Sequence, residues 1–369
     1  MGWSPRERQG LPRVVCSLYS RPAVPGSSGN RQQHMMGTSH MTDTRFDVLG
    51  IGNAIVDVIA ETGDDFLTAN NLDKGAMCLV DEAEATRIYD GMGPGIEISG
   101  GSAANTIAGL AALGGKGCFI GKVRDDELGG VFAHDIRAQG VTFPTPVATE
   151  GPLTARSMVL VTPDAQRTMN TFLGAAIGLG VDDLNTDDVA AAKVTYLEGY
   201  LWDAPSGPAL FTAAAEAAAK ASREVSMTLS DQFCVDRHRD EFLAFIRAHV
   251  DIVFANEVEV KSLYQTENFD EAAAAMANDC KLAALTRSEK GSVVVSGSER
   301  KSVEPVTADV VDTTGAGDLY AAGFLYGYTQ GTSLDRAARI GGICAGEIIS
   351  YLGARPHADL RALVTDNLG

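Results

Sequence analysis

Short, strongly apolar runs punctuate the chain from residue 46 onward. The first, 46–52 (FDVLGIG), is apolar at consecutive rather than alternate positions and ends in glycine, the pattern of a strand buried on both faces. Runs of similar character recur at 193–200 (KVTYLEGY), 224–231 (EVSMTLSD), 251–256 (DIVFAN), 281–286 (KLAALT) and 292–296 (SVVVS). Between most of them lie alanine-rich stretches with helical character, at 208–222, 236–249, 269–278 and 333–350. Strand alternating with helix predicts a mainly parallel sheet, because parallel neighbours need crossovers and the crossovers place helices on both sheet faces. The expected class is α/β. Two regions break the alternation: 58–99 and 140–173 carry shorter β-like runs (76–80, 96–99 and 156–162) set off by proline and glycine. They predict a small β lid on a single body covering 42–369.

Composition narrows the function classes. No stretch reaches the ~18 to 20 uninterrupted apolar residues of a membrane span, so no membrane association is expected. The net charge is -18, and it is unevenly spread: residues 1–41 hold five arginines against one glutamate, a net of +4 that leaves -22 for the rest. So acidic a body would repel a phosphate backbone, which argues against nucleic acid as a partner. The Arg-rich, apolar-poor start is read as a disordered leader or a mis-set start, with Met35, Met36 and Met41 as alternatives. The six cysteines form no CxxC pair, so reduced thiols in a cytoplasmic protein are expected.

The chemistry concentrates at 310–318 (VVDTTGAGD), which precedes a helical stretch. Gly315, Ala316 and Gly317 are small enough for the backbone to approach an anion, and a helix starting there aims free N–H groups and its positive dipole end at it. Asp318 then falls in the first turn, where a carboxylate beside a bound phosphate can take the proton of an attacking hydroxyl. Read alone, the glycines would only shape a turn and Asp318 would only partner the helix dipole. The whole run, however, closely resembles the C-terminal signature of the ribokinase-like (pfkB) carbohydrate and nucleoside kinases.

That resemblance extends in matching order over 46–356. The run 100–108 (GGSAANTIA) resembles the family's N-terminal signature, which implies that Gly100, Gly101 and Asn105 hold substrate hydroxyls. In 50–57 (GIGNAIVD) the third glycine of a dinucleotide GxGxxG is missing, with Ile55 in its place. The resemblance instead implies that Asn53 lines the substrate site and that Asp57, at the end of the first strand, accepts hydrogen bonds from vicinal hydroxyls. Asn256 and Glu259 match the family's NxxE element, implying magnesium organised through water. Thr286, Ser288 and Gly291 resemble its TxGxxG nucleotide loop, with Ser288 departing from glycine; Thr314 joins the implied ATP contacts. No Walker A sequence occurs.

Arg167, at the lid edge, is implied to steady the transferring phosphoryl group, against the alternative of a surface ion pair. The fold implied is a three-layer α/β/α sandwich with a mainly parallel sheet and a small β lid. Within the family the likeness is greatest to adenosine kinases, carried by 50–57, 65–72, 167–176 and 250–257, with Leu173 in a purine-contacting position. Tyr200 and Trp202 are candidate stacking groups for a base, although core packing is the commoner fate of such aromatics.

The implied reaction is ATP-dependent phosphorylation of a primary hydroxyl, foremost the 5′-OH of adenosine or a related purine nucleoside. A fructose- or ribose-type sugar kinase is the alternative, and a noncatalytic nucleotide-binding protein ranks below both. Whether a monovalent cation such as K+ takes part, and whether the protein is a monomer or a homodimer, the sequence leaves open.

Overall fold

The computed structural model describes residues 44–369 except Ala165; the Arg-rich leader lies outside the described residues. In chain order the strands are β1 (Phe46–Ile51), β2 (Ile55–Glu61), β3 (Met77–Leu79), β4 (Ile96–Gly100), β5 (Gly117–Ile120), β6 (Ala155–Val161) and β7 (Arg167–Phe172). They continue with β8 (Ala192–Glu198), β9 (Glu224–Thr228), β10 (Ile252–Asn256), β11 (Leu282–Thr286), β12 (Ser292–Ser296) and β13 (Glu299–Val303). An 8-stranded sheet has the order β13-β12-β11-β10-β9-β8-β1-β5, and a 5-stranded sheet the order β3-β7-β6-β2-β4. Neighbours from β5 across to β11 are parallel, and the β11-β12-β13 edge is antiparallel.

Alternation along the buried strands splits the core into two apolar clusters. Val253, Ala255, Ala283 and Leu285 join one; Ile252, Phe254, Leu282 and Ala284 join the other. The first is closed by Leu210, Phe211, Phe242, Phe245 and Met276, from helices Gly207–Lys220, Gln232–His249 and Phe269–Asp279. The second is closed by Ile107, Leu110, Phe324 and Ala337, from helices Ser102–Ala112, Ala316–Thr329 and Leu334–Ile348. Each large side chain buried this way contributes about 1.5–3 kcal/mol, so both helix layers are needed to cover a sheet that is apolar on both faces. The result is a three-layer α/β/α sandwich.

The smaller sheet packs one face on helices Asp64–Ala69 and Glu82–Gly91 through Leu67, Ala85, Ile88, Met158 and Leu160. Register places Asp57, Ser157, Thr171 and Arg167 at positions of one parity, on the opposite face.

Two readings of the sequence need revision. Asp57 does not end the first strand: β1 stops at Ile51, the chain turns through Gly52-Asn53-Ala54, and Asp57 lies inside β2. The two strands merge into one apolar block in the sequence because so short a turn leaves little polar signal between them. Residues 140–150 do not join the small sheet but run along the large one, with Thr142 bridging Cys118 and Ala148 bridging Arg124. For Trp202 the structure gives the commoner of the two readings, core packing: it is buried edge-on against Phe211, Phe242 and Phe245, with centroids 5.4, 5.4 and 5.1 Å away. Tyr200 is half-buried and donates its hydroxyl to the Ser230 carbonyl at 3.3 Å.

Candidate active site

The ends of adjacent parallel strands bring the sequence motifs together. Ile51 of β1 pairs with Leu197 of β8, and Asn256 of β10 pairs with Thr286 of β11, so the segments that follow them open at one end of the sheet. Ligands of open α/β sheets bind at this carboxyl end.

Asp318 sits in the first turn of the Ala316–Thr329 helix, whose N-cap Gly315 has a left-handed φ of 76°. Ser102 Oγ donates to its Oδ1 at 2.7 Å and Asn105 Nδ2 to its Oδ2 at 3.0 Å. Both donors come from the Ser102–Ala112 helix, so the two glycine-bearing signatures meet at one carboxylate. Burial pushes the Asp318 pKa up, while the Ser102 and Asn105 hydrogen bonds and Arg355 pull it back. A Cβ on Gly317 would meet nothing within 4 Å, so the space above this helix start is open; Ala316 N donates to the Thr313 carbonyl at 3.2 Å, and the next N–H groups have no intrahelical acceptor.

Asp57 belongs to the same acidic centre. Burial raises its pKa to about 6, with Arg355 and Arg167 opposing the rise and Asp318 adding to it. The Gly100–Gly101 pair makes room. A Cβ on Gly100 would lie 2.3 Å from Asp57 Oδ2, and one on Gly101, whose φ is 96°, would lie 2.1 Å from the Asn53 carbonyl oxygen.

Asn53 is turned to a partner the sequence did not suggest. Its Nδ2 donates to Glu198 Oε1 at 2.7 Å, and Ala103 N donates to Glu198 Oε2 at 2.8 Å. Glu198 ends β8 and is fully buried, so it ties the β1–β2 turn to the start of the Ser102–Ala112 helix. A lone acid closing an otherwise apolar run was the available signal. Asn53 Oδ1 is buried with no partner, leaving one acceptor of this side chain for other use.

Burial raises the Glu198 pKa to about 7, the hydrogen bonds from Ala103 and Asn53 opposing it. The folded state therefore holds a proton that the unfolded chain, with an ordinary glutamate near ~4.3, has released. Stability from this group is complete at low pH and is lost as pH rises toward 7. Urea titrations from about pH 5 to 8 should show stability falling, less steeply in Glu198→Gln; equal slopes in the two proteins would refute this account.

Arg167 is not a surface ion pair. Its guanidinium pairs with Asp312, and the two side chains are only 10% and 7% exposed. Asp312 also accepts from Thr314 N at 3.1 Å and Gly353 N at 3.2 Å, so one carboxylate joins β7 to the loop ahead of the Ala316–Thr329 helix. A cleft of about 350 Å³ opens here, lined by Arg167, Met77 and Met169 of the small sheet and by residues 310–314. Leu173 is half-buried where β7 leaves the small sheet.

On the nucleotide side, Asn256 caps the Glu257–Leu263 helix, accepting from Val258 N and Glu259 N at 2.9 Å each. Glu259 completes the capping box by accepting from Asn256 N at 2.9 Å and Asn256 Nδ2 at 2.6 Å. Burial raises its pKa to about 7. The turn after Thr286 closes with Arg287 N donating to Gly291 O at 2.8 Å. Ser288 takes a left-handed φ of 50° and Gly291 one of 76°, so serine adopts the conformation for which glycine is the default. Among the described residues no group of three or more His, Cys, Asp or Glu side chains is placed to hold a metal ion, all cysteines are free, and no helix is long and apolar enough to cross a membrane.

The three-layer sandwich and the partly buried aspartate at a glycine-bounded helix start agree with what the family comparisons show, a small-molecule kinase. A family model described as pfkB family carbohydrate kinase matches residues 97–360, and the chain belongs to that family. A solved probable sugar kinase protein from Rhizobium etli CFN 42 is 53% identical, covers 88% of this chain and 99% of its own, and superposes with a TM-score of 0.82. The adenosine kinase from Sinorhizobium meliloti is 54% identical, with 88% and 100% covered and a TM-score of 0.81. Probable fructokinase-4 of Arabidopsis thaliana is 30% identical over 243 residues, 62% of this chain and 73% of that protein. The chain is thus a phosphotransferase acting on a hydroxyl group of a sugar or nucleoside.

Proposed function

We propose that the protein transfers the γ-phosphoryl group of ATP to the 5′-hydroxyl of adenosine or a closely related purine nucleoside. The observation that carries this reading is the 54% identity, over 88% of the chain, to a protein named adenosine kinase. The site's chemistry supports it. Asp57 and Asn105 bind the ribose, Asp57 accepting from vicinal hydroxyls. Asp318 takes the proton from the reacting hydroxyl, its raised pKa bringing it nearer the operating pH that suits a general base. The open helix start at 315–317 receives the charge that develops on the phosphoryl oxygens. Arg167 and the small sheet act as the lid, and the lid excludes water that would otherwise hydrolyse ATP.

Thr314 and the 286–291 turn contribute to the nucleotide site. Glu259 suits a magnesium ion held through water. Among the described residues only Asn256 donates to its buried carboxylate, and Asp231 adds like charge nearby, so a cation would relieve a like-charged pair. Magnesium would supply neutralisation of the phosphate charge.

The likeness to probable fructokinase-4 supports a second reading, a sugar kinase with the same machinery under a different pocket. ADP release measured with adenosine, guanosine, inosine, ribose and fructose separates the two. Adenosine is expected to be the best acceptor; turnover of fructose with none of the purine nucleosides would overturn the nucleoside reading.

A further inference from the structure

One cation near the reacting groups has no counterpart in any motif. Arg355 lies in the loop after the Leu334–Ile348 helix, held there by Glu347, whose Oε1 accepts from His357 N and Ala358 N at 2.9 and 2.8 Å. The Arg355 guanidinium donates through Nη1 to Asn105 Oδ1 and through Nη2 to the Ser99 carbonyl and, at 2.9 Å, to Ser99 Oγ.

We propose that Arg355 is a positioning residue for phosphoryl transfer: it holds the Asn105 amide in the one orientation that donates to Asp318, and it is the cationic partner of the Asp57–Asp318 pair. The inference rests on the kinase reading above.

The orientation is dictated by chemistry. A guanidinium has donors and no acceptor, so the Asn105 atom facing it must be the oxygen. The amide nitrogen then faces Asp318, which as a carboxylate only accepts. Without Arg355 only Asp318 holds the amide, so the side chain can swing away from the carboxylate, and one of the two donors that fix the base is lost.

The charge argument is independent of the amide. Burial lowers the Arg355 pKa, and Asp135 on the Glu127–Ala138 helix, Asp57 on β2 and Asp318 all oppose that fall and favour its charged form. Glu198, Tyr196 and Tyr200 complete the titratable surroundings of Asp318, and Arg167 is the other cation acting on Asp57. Arg355 therefore favours the ionised form of Asp318 against burial.

The test is steady-state kinetics across pH for wild type, Arg355→Gln and Arg355→Lys, with thermal melts to establish folding. Arg355→Gln should lower kcat roughly 10²-fold, change KM for ATP less than about threefold, and move the acid limb of kcat/KM for the nucleoside up by about one pH unit. Arg355→Lys keeps the charge but not the forked geometry, so it should keep the wild-type acid limb with kcat reduced at least about tenfold. If Arg355→Gln does not fold, Arg355→Lys carries the decision. Wild-type kcat and acid limb in a folded variant overturn the proposal. Absence of turnover in the wild type with every acceptor overturns the kinase reading instead.

Discussion

Asp318→Asn should still bind ATP while turning over about 10²- to 10⁴-fold more slowly, the range expected when a positioned general base is removed. The loss should be of chemistry and not of fold. A neutral amide relieves the repulsion between Asp318 and Asp57 and gives up the attraction between Asp318 and Arg355, two opposed changes, so thermal melts beside the kinetics should show a folded variant. The neighbours also limit rearrangement: Ser102 and Asn105 still offer donors, and Arg355 prevents Asn105 from turning to suit the new amide nitrogen. Single-turnover phosphorylation together with ATP affinity checks the point. Near-normal turnover by a folded Asp318→Asn would refute the assignment of the base.

The second large effect lies in the backbone. Gly101→Ala should destabilise the protein by about 2–6 kcal/mol. Roughly 1–3 kcal/mol of this comes from a residue forced into a glycine-only region and a similar amount from overpacking. The added Cβ would lie 2.1 Å from the Asn53 carbonyl oxygen, and Asn53 is itself fastened to buried Glu198, so neither side can move cheaply. Against a total stability of ~5–15 kcal/mol such a loss is large, and a urea titration would register it as a lowered midpoint. A midpoint within error of wild type would show that this turn is softer than its contacts indicate.

How legible the molecule was depends on where each part draws its constraint. The large sheet could be read because a strand covered on both faces must be apolar throughout, as in 251–256 and 292–296. β2 and β7 could not, since a strand half open to a cleft carries polar residues such as Asp57 and Arg167 on its open face and loses that signal. Gly101 and Gly315 were visible as candidates because their backbone conformations leave glycine as the natural choice, a local demand that marks the sequence. Ser288 departs from the family's glycine yet keeps the turn, because a single short polar residue can visit the left-handed region at modest cost. Arg355, Asp312 and Glu198 carried little local mark. Their roles exist only once the chain has folded: Arg355 meets Asn105 across 250 residues, and Asp312 meets Arg167 across 145.

The pairing of Arg167 with Asp312 has a consequence for the proposed phosphoryl transfer. A phosphate that uses Arg167 must displace a carboxylate already seated there, so the net gain is the difference between two pairings and not the whole of one. A singly charged ligand offers little beyond what Asp312 already supplies, whereas the multiply charged end of a nucleotide offers more. In the proposed reaction, Asp312 would thus favour a multiply charged phosphate over a monoanion at Arg167.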